Sequence, residues 1–514
     1  MKRRILWIDD EIESLRSLIY YLNEEGIETD TVSNGSDAVE MIKENYYDLI
    51  FLDQYMPGQD GVETLNRIRE ISYNLPVVMI TKSEEDSVIN DALSESVDDY
   101  LIKPVNPRQL IATVRKILSR KSKILSGVGK NYSSAISRIN DMLENNADYR
   151  TFHKIHHILN LWNLNINRHL ETDIIEMHDY QKEQINREFV RYIKEHYTDW
   201  IENGSGPALS HDFLDRFIVP SLRENKKVFF LLIDCMRYDH YLLIETFLRD
   251  FFKTKLDFYY SIIPTATPYS RNAIFSGLTP LQINRVYPGK WDFFDTSSQN
   301  QHEEFLLNKK IRSAVSPEGI SYFKISTNEA LHRYESMFER IKDNQFNALV
   351  INIMDVFTHF RSESDVLKDL LPDENSLLAF MSTWFRTSGL NAFFKKLIAN
   401  DYKIVISSDH GSVISKTPQK LQTGKDVSLN LKYKFGSSVK ALNSDIIEIS
   451  NPGKWGLPVP KKSDKWYIAT GNGYLVYSTK YNYYSRKYFG TFQHGGVSMD
   501  EMIMPVGIIE ARDD

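Results

Sequence analysis

Three apolar runs after Pro220, KVFFLLIDC, ALVINIMD and YKIVISSD, each reach an aspartate: Asp234, Asp355 and Asp409. One such ending would mean little. Three suggest acids gathered where the carboxyl ends of parallel strands meet, which is where functional groups of such sheets collect. His410 follows Asp409 directly, His359 follows Asp355 by four residues, and His494 stands in the glycine-bearing stretch FQHGGVS. Neighbours on a strand point to opposite faces, so Asp409 and His410 serve one site only if the strand stops at Asp409 and the chain turns, which Gly411 permits. The three carboxylates and three imidazoles make an oxygen and nitrogen set suited to Zn²⁺ or another borderline divalent ion, too many for one tetrahedral ion and a sensible number for two.

Such a site needs a group to work with. The stretch PTATPYSRNAIFSGLTP, residues 264 to 280, reads as a loop entering a helix whose N-terminus favours an anion. A hydroxyl held there against a bound cation ionises nearer neutral pH, and Thr267 or Ser270 would serve. Arg237 and Arg271 are candidates for holding phosphate oxygens through their planar donors, with structural salt bridges as the competing reading. Cys235, the only cysteine, reads as a buried small residue after a strand rather than a ligand.

A second set of chemistry-bearing residues lies in the first 120 residues. The runs ILWID, ETDTV, DLIFLD, PVVMIT and DYLIKP alternate with helix-like segments, as in a doubly wound α/β domain with a sheet covered on both faces. Their carboxyl ends carry Asp9, Asp10, Asp53, Thr81 and Lys103. Clustered carboxylates repel unless a hard cation such as Mg²⁺ joins them. A carboxylate is also a competent nucleophile toward a phosphoryl group, and a lysine supplies compensating charge.

The segments WIDDE, LDQYMPGQDG, MITKSEED and YLIKP resemble the receiver domain of two-component response regulators. That resemblance implies that Asp53 accepts a phosphoryl group, that Asp9 and Asp10 hold Mg²⁺ together with Asp53, and that Thr81 and Lys103 contact the phosphoryl group. From about residue 225 to the end the chain resembles the alkaline phosphatase superfamily. PTATPYSRNAIFSGLTP is similar to the nucleophile segment of nucleotide pyrophosphatase/phosphodiesterases, and DCMRYD with SRNAIFSG resembles the PglZ domain. By position this implies Thr267 as the nucleophile. It implies one Zn²⁺ held by Asp234, Asp409 and His410 and a second by Asp355, His359 and His494, with Thr267 also at the metals. Where classical phosphodiesterases carry Asn three places after the nucleophile, this chain has Ser270, so the substrate contacts differ there.

Between these regions, residues 121 to about 220 show apolar residues at helical spacing, and NGSGPALS at 203 to 210 is a break. His153, His156 and His157 have a spacing usable for a metal on one helix, but the run lacks a carboxylate, and a packed or solvated helix face is the reading adopted. No short helix-turn-helix with a basic recognition helix is evident, so this segment reads as a connector. The expected organisation is a flavodoxin-like (βα)5 receiver over 1–120, a helical-bundle linker over 121–220 and an alkaline-phosphatase-like α/β/α sandwich over 221–514. This receiver, linker and PglZ arrangement is similar to the PorX-like response regulators associated with type IX secretion.

Composition narrows the classes. A formal charge of -7 gives no overall basic footprint for nucleic acid. A lone cysteine excludes a disulfide within the chain and fits a reducing compartment. The apolar start of MKRRILWIDDE stops at Asp9, short of a signal-peptide core, and no run reaches the roughly 18 apolar residues of a membrane span. A cytoplasmic protein without a membrane anchor is expected.

The resemblance implies in-line displacement, with zinc-bound Thr267 attacking a phosphodiester such as a nucleotide or cyclic oligonucleotide, and water then cleaving the phosphothreonine. A sensor histidine kinase would phosphorylate Asp53, and phosphorylation would drive receiver dimerisation. The alternative is an output domain that is a zinc-stabilised protein-binding module, acting through a sigma factor or secretion-system component with little catalysis.

Overall fold

Near-continuous apolar runs become strands buried on both faces. The computed structural model describes residues 3–45, 47–56, 60–71, 75–82, 97–166, 172–291, 300–325, 334–356, 373–422, 430–437, 439–441, 445–459, 461, 463–478 and 481–512. The chain divides into two compact units, Met1–Ser133 and Ser134–Asp514.

In the first unit, strands β1 (Arg3–Ile8), β2 (Ile27–Val32), β3 (Leu49–Asp53), β4 (Val77–Thr81) and β5 (Asp99–Ile102) pair in parallel in the order β2-β1-β3-β4-β5. Alternate side chains feed two apolar layers. Ile5, Trp7, Phe51, Val78 and Ile80 lie in one, and Leu6, Ile8, Ile50, Leu52, Val77 and Met79 in the other. This is the physical reason the inner strands β1, β3 and β4 read as apolar runs, whereas the edge strand β2, IETDTV, is mostly polar and only partly buried. The register pairs Ile8 with Leu52, Asp53 with Ile80 and Thr81 with Ile102, so Asp9, Asp53, Thr81 and Lys103 emerge along one edge.

The main sheet of the second unit has six strands among the described residues. β6 (Lys227–Ile233), β8 (Ile320–Ile325), β9 (Phe346–Ile351) and β10 (Tyr402–Ser407) run parallel, with β6 between β10 and β9 and β8 beyond β9. The C-terminal strand Ile503–Glu510 and β7 (Lys253–Tyr260) extend the β10 side antiparallel. Phe229, Leu231 and Ile233 face one apolar layer, and Val228, Phe230 and Leu232 the other. Truncating such a buried side chain, Leu231→Ala for example, costs about 2–5 kcal/mol through lost burial and the cavity left behind.

Pairing of Ile233 with Ile351 and of Leu232 with Ser407 levels the three strand ends. Asp234 directly follows β6, and Asp409 lies two residues past β10. Two details differ from expectation. β10 stops at Ser407 rather than at Asp409, and β9 stops at Ile351, leaving Asp355 on a helical turn over 353–356. Gly411 has no left-handed conformation. It is needed because a Cβ there would strike the carbonyl oxygen of Asp500. The left-handed turn beside the site belongs instead to buried Cys235, at φ 61°, a conformation unfavourable for a non-glycine residue.

The helices Tyr149–Ile166 and Thr172–Asn203 share one apolar cluster with the second sheet unit. Phe152, Ile155, Phe189 and Trp200 pack with Tyr260, Ile263 and Tyr269, so the segment read as a connector is part of the C-terminal unit's core. Among the described residues no helix is long and apolar enough to cross a membrane.

Candidate functional site

The helix Thr267–Ser276 starts at the threonine, after Ala266 in an extended conformation, and ends at Gly277 in the left-handed region that suits a helix C-terminus. Pro268 pre-sets the first turn without sacrificing a needed N–H. Thr267 Oγ1 lies 2.9 Å from His410 Nε2 and 3.4 Å from Asp234 Oδ1. Ser270, the other hydroxyl considered, instead donates to the carbonyl of Ala266 at 2.9 Å. Of the two, only Thr267 faces the acidic cluster.

Ligand atoms of Asp234, Asp409 and His410 all lie within 4.8 Å of one another, and all three residues are buried. The Nδ1 of His410 is 3.1 Å from the carbonyl of Gly411, which can only accept, so Nδ1 carries the proton and Nε2 the lone pair. That is the tautomer a metal ligand requires. His494 Nε2 stands 3.5 Å from Asp355 Oδ1, and the His410 and His494 rings stack with centroids 4.3 Å apart. Five of the six expected metal ligands are therefore close neighbours in a chain of contacts. His359 lies outside the described residues.

Electrostatics supports a cation at this place. Burial pushes the Asp234 carboxyl well above the usual range. Arg271 opposes the shift, while Asp409 and Asp355 add to it. Burial also disfavours the charged form of Asp409, but Arg271 opposes it and that carboxyl is held below its ordinary value. A further positive charge is what the donor set lacks, and its oxygens and imidazoles suit a divalent ion.

Residues not singled out from the sequence hold the site. Thr265 Oγ1 accepts from the N–H of Gly495 at 3.2 Å and donates to the carbonyl of Gly496 at 2.8 Å, and Glu501 accepts from the N–H of Gly496 at 2.8 Å. These bonds fix the loop that carries His494. Only the position of Thr265 within the stretch 264 to 280, two residues before Thr267, hinted at its role.

The two arginine candidates part company. Arg237 pairs with Asp239 at 2.7 Å and Glu374 at 2.8 Å, and Glu374 also faces Lys182 at 3.8 Å, whose ammonium is 2.9 Å from Asp500. It belongs to a buried ionic network away from Thr267's hydrogen bonds. Arg271 is fully buried against Asp234 and Asp409, the latter at 2.9 Å from its Nε.

The histidines of the linker helix are a packing face. His153 Nε2 is 2.9 Å and His157 Nδ1 3.3 Å from the hydroxyl of Tyr238, and the ring of buried His156 also meets Tyr238.

In the first unit, Lys103 Nζ lies 2.8 Å from Asp53 Oδ2 and 3.0 Å from Asp9 Oδ2. Asp9, Asp10 and Asp53 have ligand atoms within 4.8 Å of one another, with Asp10 exposed. Burial raises the pKa of Asp53, Lys103 opposes the rise and Asp9 adds to it. The Oδ1 of Asp53 and the hydroxyl of Thr81 are buried without hydrogen-bond partners among the described residues, which leaves two oxygens for a cation and a phosphoryl group.

Comparison with known families gives three matches along the chain. The family described as the BREX system PglZ alkaline phosphatase-like domain matches residues 213–508, the response regulator receiver domain residues 5–115, and the PorX response regulator linker domain residues 124–201. The chain is similar to the transcriptional regulatory protein CpxR homolog of Haemophilus influenzae, 37% identical over 157 residues, covering 28% of this chain and 68% of the relative. It is 38% identical over 120 residues to the transcriptional regulatory protein ResD of Bacillus subtilis, covering 23% of this chain and only half of that relative's length. Among solved structures, a two-component response regulator from Clostridium difficile is 39% identical, covering 23% of this chain and 97% of that one at a TM-score of 0.22.

Proposed function

We propose, from the premise that the chain belongs to the PglZ alkaline phosphatase-like family and carries a response regulator receiver and a PorX-type linker ahead of that domain, that it is a phosphorylation-controlled zinc phosphodiesterase. The observation that carries the reading is the Thr267 hydroxyl, at a helix N-terminus and 2.9 Å from Nε2 of His410, inside a buried cluster of two aspartates and a histidine.

Asp234, Asp409 and His410 would hold one zinc ion, and Asp355, His359 and His494 the other. Bound there, the ions would lower the pKa of the Thr267 hydroxyl and offset the charge of the phosphoryl oxygens. Thr267 Oγ forms a bond to phosphorus while the bond to the opposite ester oxygen breaks, and that alcohol leaves. Water then attacks the phosphothreonine, releasing a phosphomonoester and restoring the hydroxyl. The helix N-terminus at Thr267 favours the anionic phosphoryl group, and the surrounding burial strengthens every charge interaction. The substrate class is a phosphodiester of nucleotide type.

In the receiver, Asp9, Asp10 and Asp53 would hold Mg²⁺, a cognate sensor histidine kinase would supply the phosphoryl group to Asp53, and Thr81 and Lys103 would meet it. The phosphorylated receiver would dimerise, in the cytoplasm, and the output would reach a sigma factor or a component of type IX secretion.

The test is metal content together with hydrolysis of bis(p-nitrophenyl) phosphate by the full chain and by Thr267→Val. Two zinc ions per chain and a loss of rate on the order of 10³-fold or more are expected. Equal rates for both proteins would contradict the assignment of Thr267.

A further inference from the structure

Arg271 stands four residues after Thr267, one helical turn on, and its guanidinium is fully buried. Four groups surround it. Nη2 meets Oδ2 of Asp234, Nε donates to Oδ2 of Asp409 at 2.9 Å, and Nη1 lies 3.4 Å from Glu303 Oε1 and 3.3 Å from Asn352 Oδ1. Glu303 is itself buried and held by Tyr322 and Lys324, so the guanidinium is gripped from behind.

The atoms it takes are specific. It binds the same oxygen, Oδ2, of both aspartates, while Oδ1 of Asp234 faces Thr267 at 3.4 Å and His410 Nε2 at 3.8 Å. Oδ1 of Asp409 accepts from the backbone N–H of His410 at 3.2 Å and of Cys235 at 3.4 Å. A guanidinium presents its donors in a rigid planar fork, so it fixes two carboxylates at once in a way that the point charge of a lysine cannot.

We propose that Arg271 is a positioning residue of the metal centre: it fixes Asp234 and Asp409 through one oxygen each, so that both meet the ion in a set orientation. Full burial and four protein partners among the described residues assign its guanidinium to the ligand carboxylates rather than to substrate. Its single charge also lets two buried aspartates sit side by side before an ion enters, without cancelling the negative charge that attracts a dication. Partners of this kind carry large weight in metal affinity, by about 10–100-fold.

This inference rests on the two-metal reading above, and the experiment separates them. Zn²⁺ affinity is measured on the full chain by competition with a chromophoric chelator, and the visible spectrum of Co²⁺-loaded protein reports the ligand field. Four proteins are compared: wild type, Arg271→Lys, Glu303→Gln and Arg237→Lys. Arg271→Lys should weaken binding of the tighter ion by about 10–100-fold and shift the Co²⁺ bands. Glu303→Gln, which loosens the grip on Arg271 without touching a carboxylate ligand, should do the same to a smaller degree. Arg237→Lys should leave both readouts as in wild type, because the ion pairs of Arg237 go to Asp239 and Glu374 and to none of the described ligands. If wild type binds Zn²⁺ and both Arg271→Lys and Glu303→Gln match it in affinity and spectrum, Arg271 does not position the ligands. If wild type binds no Zn²⁺, the metal reading fails and this inference with it. Should Arg271→Lys not fold, Glu303→Gln alone decides between these outcomes.

Discussion

The hydroxyl of Thr267 and Nε2 of His410 lie 2.9 Å apart, and because Nδ1 of His410 faces the carbonyl of Gly411 at 3.1 Å, the threonine is the donor in that contact. The same lone pair on Nε2 can hold a metal ion, which would then sit beside the hydroxyl it activates. Strand ends set this relationship, since β6 delivers Asp234, β10 delivers Asp409 and His410, and the helix after β7 delivers Thr267.

Arg237 and Arg271 both looked like phosphate clamps by residue type, yet Arg237 should affect stability and leave substrate affinity alone. It pairs with Asp239 and Glu374 in the interior, so Arg237→Ala strands a buried carboxylate and should cost about 3–5 kcal/mol at neutral pH. Burial pushes the Asp239 carboxyl up, but Arg237 and His240 together outweigh it and hold it down to about 2. A depressed carboxylate contributes its full stability above the unfolded value of 3.8 and loses it as pH falls toward about 2. The gap between wild type and variant should therefore narrow across that window. Urea denaturation at stepped pH, with KM for the diester measured in parallel, checks both halves.

In the receiver the sign is opposite. Asp53 has its pKa raised by burial and by Asp9, so wild type binds its proton more tightly folded than unfolded and loses stability as pH rises through that raised value. Asp53→Asn should be more stable than wild type at pH 7 without divalent cation, with the advantage shrinking toward the ordinary value of 3.8 and also when Mg²⁺ is added. Scanning calorimetry of the full chain with and without Mg²⁺ measures this. The same variant should accept no phosphoryl group from acetyl phosphate.

His494 and Asp355 face each other at 3.5 Å beside the His410 ring, which marks them as part of one pocket of donors. His494→Ala should reduce bound zinc from two ions to one per chain, while Asp234→Asn should lose the ion next to Thr267. Elemental analysis after dialysis reads the stoichiometry. Retention of two ions by His494→Ala would remove His494 from the ligand set.

Much of this site was legible because buried strands announce themselves as unbroken apolar runs, and a charged residue at the end of such a run has few other places to be. Asp234 and Asp409 were found that way. The placement of Asp355 was blurred because Ile353 and Met354, buried on a helical turn, continue the apolar pattern of β9 without belonging to it. Periodicity does not separate a strand end from a buried turn. Gly411 read as the residue that permits the turn after Asp409, whereas its role is to leave room for the Asp500 carbonyl, a contact made by residues far apart in the chain. The left-handed Cys235 could not be seen, since nothing in a cysteine signals that conformation. The fates of Arg237 and Arg271 turn on Glu374 and Glu303, 137 and 32 residues away, and pairings at such separations leave no local trace.

The central claim is that Thr267 becomes covalently phosphorylated during turnover. Acid quench of the zinc-loaded chain with a slow phosphodiester, followed by peptide mass spectrometry, tests it most directly. The account predicts a phosphoryl ester adduct on the peptide containing Thr267 and none in Thr267→Val. Turnover by wild type with that peptide unmodified, or equal turnover by Thr267→Val, would contradict it.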